Sequence, residues 1–193
     1  MWYFLSNALT KLYQGAGPQP GAPAGSSTHD VVLRVWREVV EPEEMSLADA
    51  PEGVVFLLAG AWHGHPCELA LVRVKGSIVP RTRVRSSAAS AEARLGVAPR
   101  SAWRGLAAGV TGRRVRTGDE DFDRAFVVTG AAGAAALDAV SREVLLFQRA
   151  REPELRIARG ELVLHMQGAE LGHESLAALL DACVRMARAV DAP

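Results

Sequence analysis

The side chains best suited to metal chemistry are His63, His65 and Cys67, which alternate along the chain. Alternating residues of an extended strand point the same way, and imidazole with thiolate is the ligand set that zinc prefers. A turn at His63-Gly64 would leave only His65 and Cys67 on one strand face, so further ligands would have to come from distant residues. The competing interpretation is a hydrogen-bonded turn histidine and a packed cysteine.

Arginines form the second chemically active group, because the basic charge is concentrated in one stretch. Residues 73–117 hold eleven Arg or Lys and a single acid, Glu92, although the whole chain has 22 basic and 22 acidic residues. Such a stretch predicts either a face that binds phosphate groups or a solvated strand face paired with carboxylates from the flanks. The arginines of the predicted basic face are Arg81, Arg83, Arg85, Arg113, Arg114 and Arg116.

The remaining sequence offers no catalytic motif, and we expect no cofactor. It lacks the dinucleotide fingerprint, the phosphate loop, the zinc-protease helix and the nucleophile elbow. Cys67 and Cys183 are the only cysteines, which excludes a dense disulfide framework and favours a reducing cytoplasm. Residues 1–13 resemble neither a signal peptide nor the roughly 20 apolar residues of a membrane span. The expected location is therefore cytoplasmic, with peripheral membrane attachment as the alternative.

Three segments organise the chain. Residues 1–13 predict a short amphipathic helix, because Trp2, Leu5, Leu9 and Leu12 recur at steps of three and four. Residues 14–29 are almost entirely Gly, Pro, Ala, Ser and Gln, which is typical of a flexible linker. Residues 30–193 carry the hydrophobic patterning of a single domain, and the leading helix is a tethered element.

Within that domain, segments with helical periodicity of apolar residues alternate along the chain with segments that have the two-residue period of strands. Arg81, Arg83 and Arg85 alternate with Thr82 and Val84, so a strand there would place three guanidinium groups on one face. Hairpins with helices on one side predict an α+β fold, with an antiparallel or mixed sheet covered on one face by helices. The predicted helices are 30–40, 134–150 with Leu137, Val140, Val144 and Phe147 on a shared face, and 175–190 with Leu176, Leu179, Leu180, Cys183 and Ala187 buried. The predicted strands 54–58 and 67–74 form a hairpin around the turn 62–66. Two further strands are predicted at 93–97 and 122–128. A second hairpin turns at Arg159-Gly160, with Leu155 and Ile157 facing Leu162 and Leu164.

The run from Thr117 to Val128 carries a motif of the form Thr-Gly-Asp-x-x-Phe-Asp-x-x-Phe-x-Val. With the Ala-rich helix, hairpin and final helix that follow, it resembles a family of uncharacterised bacterial proteins over about residues 54–190. The resemblance implies a bacterial origin and a shared fold, and it brings no reaction, ligand or partner. Some similar proteins have membrane-spanning N-termini, which this chain replaces by the short helix and linker.

These observations favour a non-catalytic bacterial adaptor. We expect it to dock to a protein partner through the helix of residues 1–13 and through the basic face. The first alternative is peripheral binding to an anionic membrane or to nucleic acid through residues 73–117. The second is a metal-binding protein or enzyme that uses His63, His65 and Cys67.

Overall fold

A computed structural model describes residues 28–73, 75, 77, 79–88, 90–101, 114–130 and 136–190. These residues form an α+β fold in which nine antiparallel strands make one sheet and four α-helices pack against it. The α+β prediction is therefore confirmed, and the sheet is antiparallel rather than mixed. The predicted helix of residues 1–13 and residues 14–27 of the predicted linker lie outside the described residues.

The helices are α1 (Thr28–Val40), α2 (Glu120–Ala125), α3 (Ala139–Phe147) and α4 (His173–Ala189), and a 3-10 turn (Gln148–Arg151) follows α3. The strands are β1 (Met45–Ala48), β2 (Val54–Trp62), β3 (His65–Val72), β4 (Arg81–Ser87), β5 (Leu95–Pro99), β6 (Arg114–Val115), β7 (Phe126–Thr129), β8 (Glu154–Ala158) and β9 (Glu161–Gln167). Their order across the sheet is β1-β2-β3-β4-β9-β8-β5-β7-β6. The last hairpin, β8–β9, is thus inserted between β4 and β5.

Two tight hairpins lie where the sequence predicts them, although the first has strands at 54–62 and 65–72 instead of 54–58 and 67–74. In the turns His63-Gly64 and Arg159-Gly160 all four residues have positive φ, between 50° and 75°. Turns with two positive φ values match the twist of the strands that they join, and glycine accepts that conformation without steric cost. Both predicted hairpins are confirmed, and the second pairs Leu155 with Leu164 and Ile157 with Leu162.

One hydrophobic core lies between the sheet and the helices. The side chains of α4 that were predicted to be buried are all buried, and α1 buries Val32, Trp36 and Val40 as its helical period indicates. Two indole groups tie the helices to distant parts of the chain: Trp36 Nε1 donates to the Glu170 carbonyl at 2.6 Å, and Trp62 Nε1 donates to Asp181 at 2.7 Å. Helix α1 begins at Thr28, two residues before the predicted boundary.

The predicted strand over residues 122–128 is wrong in its first half. Residues 120–125 form α2, and β7 begins only at Phe126. Asp119 caps the helix by accepting a hydrogen bond from the Phe122 N–H at 3.0 Å. Aspartate is a favoured N-cap residue, and the acidic residues of the first turn suit the helix dipole. The Phe122 and Phe126 rings nevertheless stack, with centroids 4.8 Å apart, so both side chains enter the core.

The predicted face of the helix in residues 134–150 is also wrong. Asp138 caps α3, which begins at Ala139, so Leu137 precedes the helix. Val140 and Phe147 are 48% and 53% exposed, while Ser141 and Leu145 are buried. The helix therefore turns a different stripe towards the core. Strand β5 likewise lies at Leu95–Pro99, two residues after the predicted 93–97.

Candidate functional site

The arginines of β4 occupy the face of the sheet that points away from the described helices. Thr82 and Val84 point into the core, and Arg81, Arg83 and Arg85 point the other way and are half-buried, as the alternation predicts. Cross-strand partners on the same face are Glu68 beside Arg85 and His165 beside Arg83. The three guanidinium groups therefore share one surface.

Neighbouring carboxylates neutralise most of the charge on β4. Arg85 forms ion pairs with Glu68 at 3.4 Å and with Glu161, and Arg81 lies 3.7 Å from Glu154. This is the internally paired strand face that the sequence left open as an alternative. Such half-exposed pairs contribute about 0–1 kcal/mol each to stability, so their main effect is to leave little free positive charge on β4.

Arg83 stands out from this pairing. Its Nε is buried without a hydrogen-bond partner, and burial together with the charge of Arg85 lowers the pKa of its guanidinium group. Opposite it, burial and then the charges of Arg83, Arg81 and Arg85 lower the pKa of His165. A lowered histidine pKa favours the neutral ring, so His165 adds no positive charge to this surface near neutral pH.

The remaining arginines of the predicted face lie at the far edge of the sheet. A continuous cross-strand row runs from Arg85 through Val163, Arg156, Gly96 and Thr129 to Arg114. Five strand spacings separate the two ends of this row, which is about 24 Å. The six arginines therefore do not converge on one site, and Arg113 lies outside the described residues.

An open cleft of about 690 Å³ lies at that edge, between α2 and the strands β6 and β7. We call it the arginine cleft. Four arginines and two carboxylates give its lining a formal charge of +2, and its volume is in the range of about 300–1,000 Å³ that is typical of ligand-binding clefts. The lining residues are Arg100, Arg114, Val115, Arg116, Glu120, Asp123, Arg124 and Phe126.

The motif that runs from Thr117 to Val128 forms one wall of the arginine cleft. The Asp123 carboxylate accepts hydrogen bonds from the backbone N–H and the hydroxyl of Thr117, both at 3.0 Å. Burial alone would raise the pKa of Asp123, but these hydrogen bonds and the charge of Arg116 hold it below its ordinary value. Arg100 donates two hydrogen bonds to the Asp123 carbonyl, at 3.1 and 2.7 Å. Asp123 thus fixes the loop before α2 and also positions Arg100.

Two arginines of the cleft without an ion pair in the described structure are Arg114, in β6, and Arg116, just after it. Arg124 pairs with Asp121 at 2.8 Å, whereas Arg114 and Arg116 are exposed and form no ion pair with the described residues. The sequence predicted Arg114 and Arg116 as binding residues but missed Arg100 and Arg124. Arg100 directly follows β5, and only the pairing of β5 with β7 brings it to α2, where Arg124 lies.

The three metal-ligand candidates have separate partners. His63 bridges two acidic residues, with Nδ1 3.1 Å from Glu43 and Nε2 3.1 Å from Asp181, while His65 Nε2 contacts the Ser87 carbonyl at 2.8 Å. Cys67 is buried, and burial followed by the charge of Glu68 raises the pKa of its thiol to about 12. Metal ligation needs the thiolate, so this environment opposes it. Within the described ranges, no group of three or more His, Cys, Asp or Glu side chains could hold a metal ion.

Comparison with known proteins gives no relative. No protein-family model, curated protein or solved structure matches the chain. None of the helices in the described part of the chain has the length and apolar character needed to cross a membrane. The arginine cleft is therefore the feature of the described residues from which a function can be inferred.

Proposed function

We propose that this protein is a non-catalytic adaptor that binds an acidic segment of a protein partner in the arginine cleft. The single observation that carries the proposal is the exposure of Arg114 and Arg116 without ion-pair partners in the described structure, beside the cleft that they line. On β4, by contrast, Arg81 and Arg85 have carboxylate partners within the chain. Within the predicted basic face, the exposed arginines without an ion pair in the described structure are thus Arg114 and Arg116.

The chemistry of the cleft is binding chemistry. Guanidinium groups stay protonated at any physiological pH and present several N–H donors in a planar fork. A carboxylate can accept two such hydrogen bonds at once, which gives the contact both strength and orientation. Arg100 is already held in place by the Asp123 carbonyl, so part of this donor set is ordered before a partner arrives.

Two carboxylates in the lining favour a protein over a nucleic acid as the partner. Glu120 and Asp123 lie among the arginines, so the net charge of the cleft is modest. A nucleic-acid backbone holds its phosphates at fixed spacing and would bring some of them against these carboxylates, whereas the glutamate side chains of a peptide can turn towards single arginines. The docking helix predicted for residues 1–13 lies outside the described residues and stays a prediction. It would add a second contact with the same partner.

The test is binding of a short fluorescent oligoglutamate peptide to the full chain, measured by anisotropy. We expect saturable binding that weakens as salt is raised, because both partners are charged and exposed. The variant Arg114→Gln/Arg116→Gln should bind at least tenfold more weakly. Arg149→Gln/Arg156→Gln removes the same charge from exposed positions away from the cleft and should bind as the wild type does.

Three results would contradict the proposal. Binding that is unchanged in Arg114→Gln/Arg116→Gln would remove the cleft as the site. Equal loss in both double variants would show attraction to net charge alone. Tighter binding of a single-stranded oligonucleotide or of vesicles containing phosphatidylserine than of the peptide would replace the protein partner by nucleic acid or by membrane.

A further inference from the structure

Exposed carboxylates flank the strand at the opposite edge of the sheet. Four carboxylates flank β1, and all four are exposed and form no ion pair with the described residues. Glu43, between them, is already engaged by the N–H and the ring of His63. We call the four free carboxylates the acidic edge: Glu41, Glu44, Asp49 and Glu52.

The two charged regions cannot neutralise each other within one molecule. Strands β1 and β6 are the two ends of the nine-stranded order, so eight strand spacings, about 38 Å, separate them. This distance exceeds several Debye lengths at physiological salt, about 8 Å each. The neutral net charge of the chain therefore includes exposed carboxylates at one end of the sheet and exposed arginines at the other.

Both regions lie at the outer strands of the sheet. Glu41 and Glu44 belong to the turn between α1 and β1, and the arginine cleft lies between α2 and β6. Its lining residues Val115 and Phe126 belong to, or pack against, the core that the helices cover. A second copy that places its β1 end beside the β6 end of the first brings an acidic edge next to an arginine cleft.

Charge at the edge strands favours contact between an acidic edge and an arginine cleft over contact between two like-charged edges. Charged side chains on short edge strands normally prevent strands of neighbouring molecules from pairing. Here two acidic edges repel each other, and so do two arginine clefts, but an acidic edge and an arginine cleft attract. Strand β1 has four residues and β6 has two, and no described residue pairs with the outer side of either strand.

We propose that the acidic segment bound in the arginine cleft is the acidic edge of a second copy of this chain, so that the protein associates head to tail. This inference rests on the proposed function, since it uses the same cleft, and it names the partner. The contact is heterologous: each added copy leaves one free acidic edge and one free cleft, so association extends with concentration instead of stopping at a symmetric dimer.

Sedimentation velocity of the full chain over a concentration series tests this directly. In about 0.05 M NaCl we expect species larger than the monomer that grow with concentration, and in about 0.5 M NaCl we expect the monomer. Two variants each disable one end: Arg114→Gln/Arg116→Gln at the cleft, and Glu41→Gln/Glu44→Gln/Asp49→Asn/Glu52→Gln at the acidic edge. Each variant alone should need at least tenfold higher concentration to associate.

Mixing the two variants gives the sharpest result. One retains a working cleft and the other a working acidic edge, so an equimolar mixture should form a one-to-one pair and should stop there. The control Glu92→Gln/Glu143→Gln, which neutralises two exposed acids away from both edges, should associate as the wild type does.

A wild-type chain that stays monomeric at every concentration in low salt overturns the inference, as does a mixture that forms no pair. The oligoglutamate experiment separates the two proposals. If the peptide binds the cleft while the chain stays monomeric, the proposed function stands and the second copy is excluded as the partner. If the peptide does not bind and the chain still associates, the cleft does not take acidic segments in general.

Discussion

Replacement of Glu170 tests how the buried polar groups hold the helices together. Its side chain is almost wholly buried, and Oε1 accepts the N–H groups of Leu171 and Gly172 at 3.0 and 2.9 Å, just before α4. Oε2 accepts from Gln148 at 2.8 Å and lies 3.7 Å from Arg151. One carboxylate thus satisfies the start of α4 and the end of α3 at the same time.

The expected cost depends on what each variant leaves without a partner. Glu170→Leu removes the carboxylate partner of the buried Gln148 amide, of two backbone N–H groups and of the charged Arg151. We therefore expect the free energy of unfolding to fall by about 3–5 kcal/mol. Glu170→Gln keeps an oxygen for the two N–H groups, and Gln148 can rotate its amide to present an oxygen. The charge attraction to Arg151 is lost as well, but because an accepting oxygen is kept, we expect Glu170→Gln to lose at least about 1 kcal/mol less than Glu170→Leu.

Urea unfolding followed by tryptophan fluorescence measures both losses. An unchanged slope of the free energy of unfolding against urea concentration would show that the folded and unfolded states expose the same surface in variant and wild type. Glu143→Leu removes an exposed carboxylate from α3 and should change the free energy of unfolding by no more than about 0.5 kcal/mol. Equal losses in the leucine and glutamine variants of Glu170 would refute this reasoning, because they would show that the accepting oxygens contribute nothing.

Two further predictions concern the backbone and pH. Gly60→Ala should cost at least about 2 kcal/mol more than Gly53→Ala, since a Cβ at Gly60 would lie 1.8 Å from the Glu44 carbonyl oxygen, while one at Gly53 meets nothing within 4 Å and costs only the strain of its positive φ. Thermal unfolding of both variants measures the difference, and equal shifts would contradict the close approach of β1. Burial opposes ionisation of Asp138, but its hydrogen bonds with Ser141 and the charges of Arg185 and Arg142 lower its pKa. Its contribution to stability is therefore present above the unfolded-state pKa and is lost as the pH falls through the folded-state pKa. Asp138→Asn should flatten the loss of stability below about pH 4, and an unchanged acid limb in urea titrations would contradict this.

Local patterns in the sequence predict the hairpins and the helices α1 and α4. The turn at Arg159-Gly160 and the alternation around it determine a register, because a shift by one residue would expose Leu155 and Leu164 to solvent. In the same way, the alternation of β4 is enough to assign Arg83 to the side of the strand that faces away from the core. These predictions depend on neighbours in the chain, and the structure confirms them.

The starts of α2 and α3 are harder to predict from the sequence, because they depend on helix caps. Phe122 and Phe126 are four residues apart, which suits a helix as well as a strand, and the deciding signal is the cap at Asp119. Asp138 has the same effect in α3, where it moves the start of the helix and so changes which stripe is buried. Both aspartates accept a hydrogen bond from the N–H three residues later.

The site could be predicted only in part, because it depends on strand order. Arg85 and Arg114 belong to one basic stretch in the sequence, and nothing local shows that β9, β8, β5 and β7 lie between them. The carboxylates that neutralise β4 come from β3, β8 and β9, at separations of up to 76 residues. Long-range pairing therefore decides which arginines are available to a partner.

The insertion of the last hairpin also sets the order of events at the ribosome. Strand β4 cannot pair until β9 has been synthesised, because Thr82 pairs with Met166. The Trp36 indole likewise donates its hydrogen bond to a carbonyl 134 residues further along the chain. The nascent first half thus emerges with its apolar surface uncovered until α4 is made, and folding dominated by such distant contacts is slow. A cell that synthesises this chain must shield that half from aggregation, and chaperones that bind apolar segments supply such shielding.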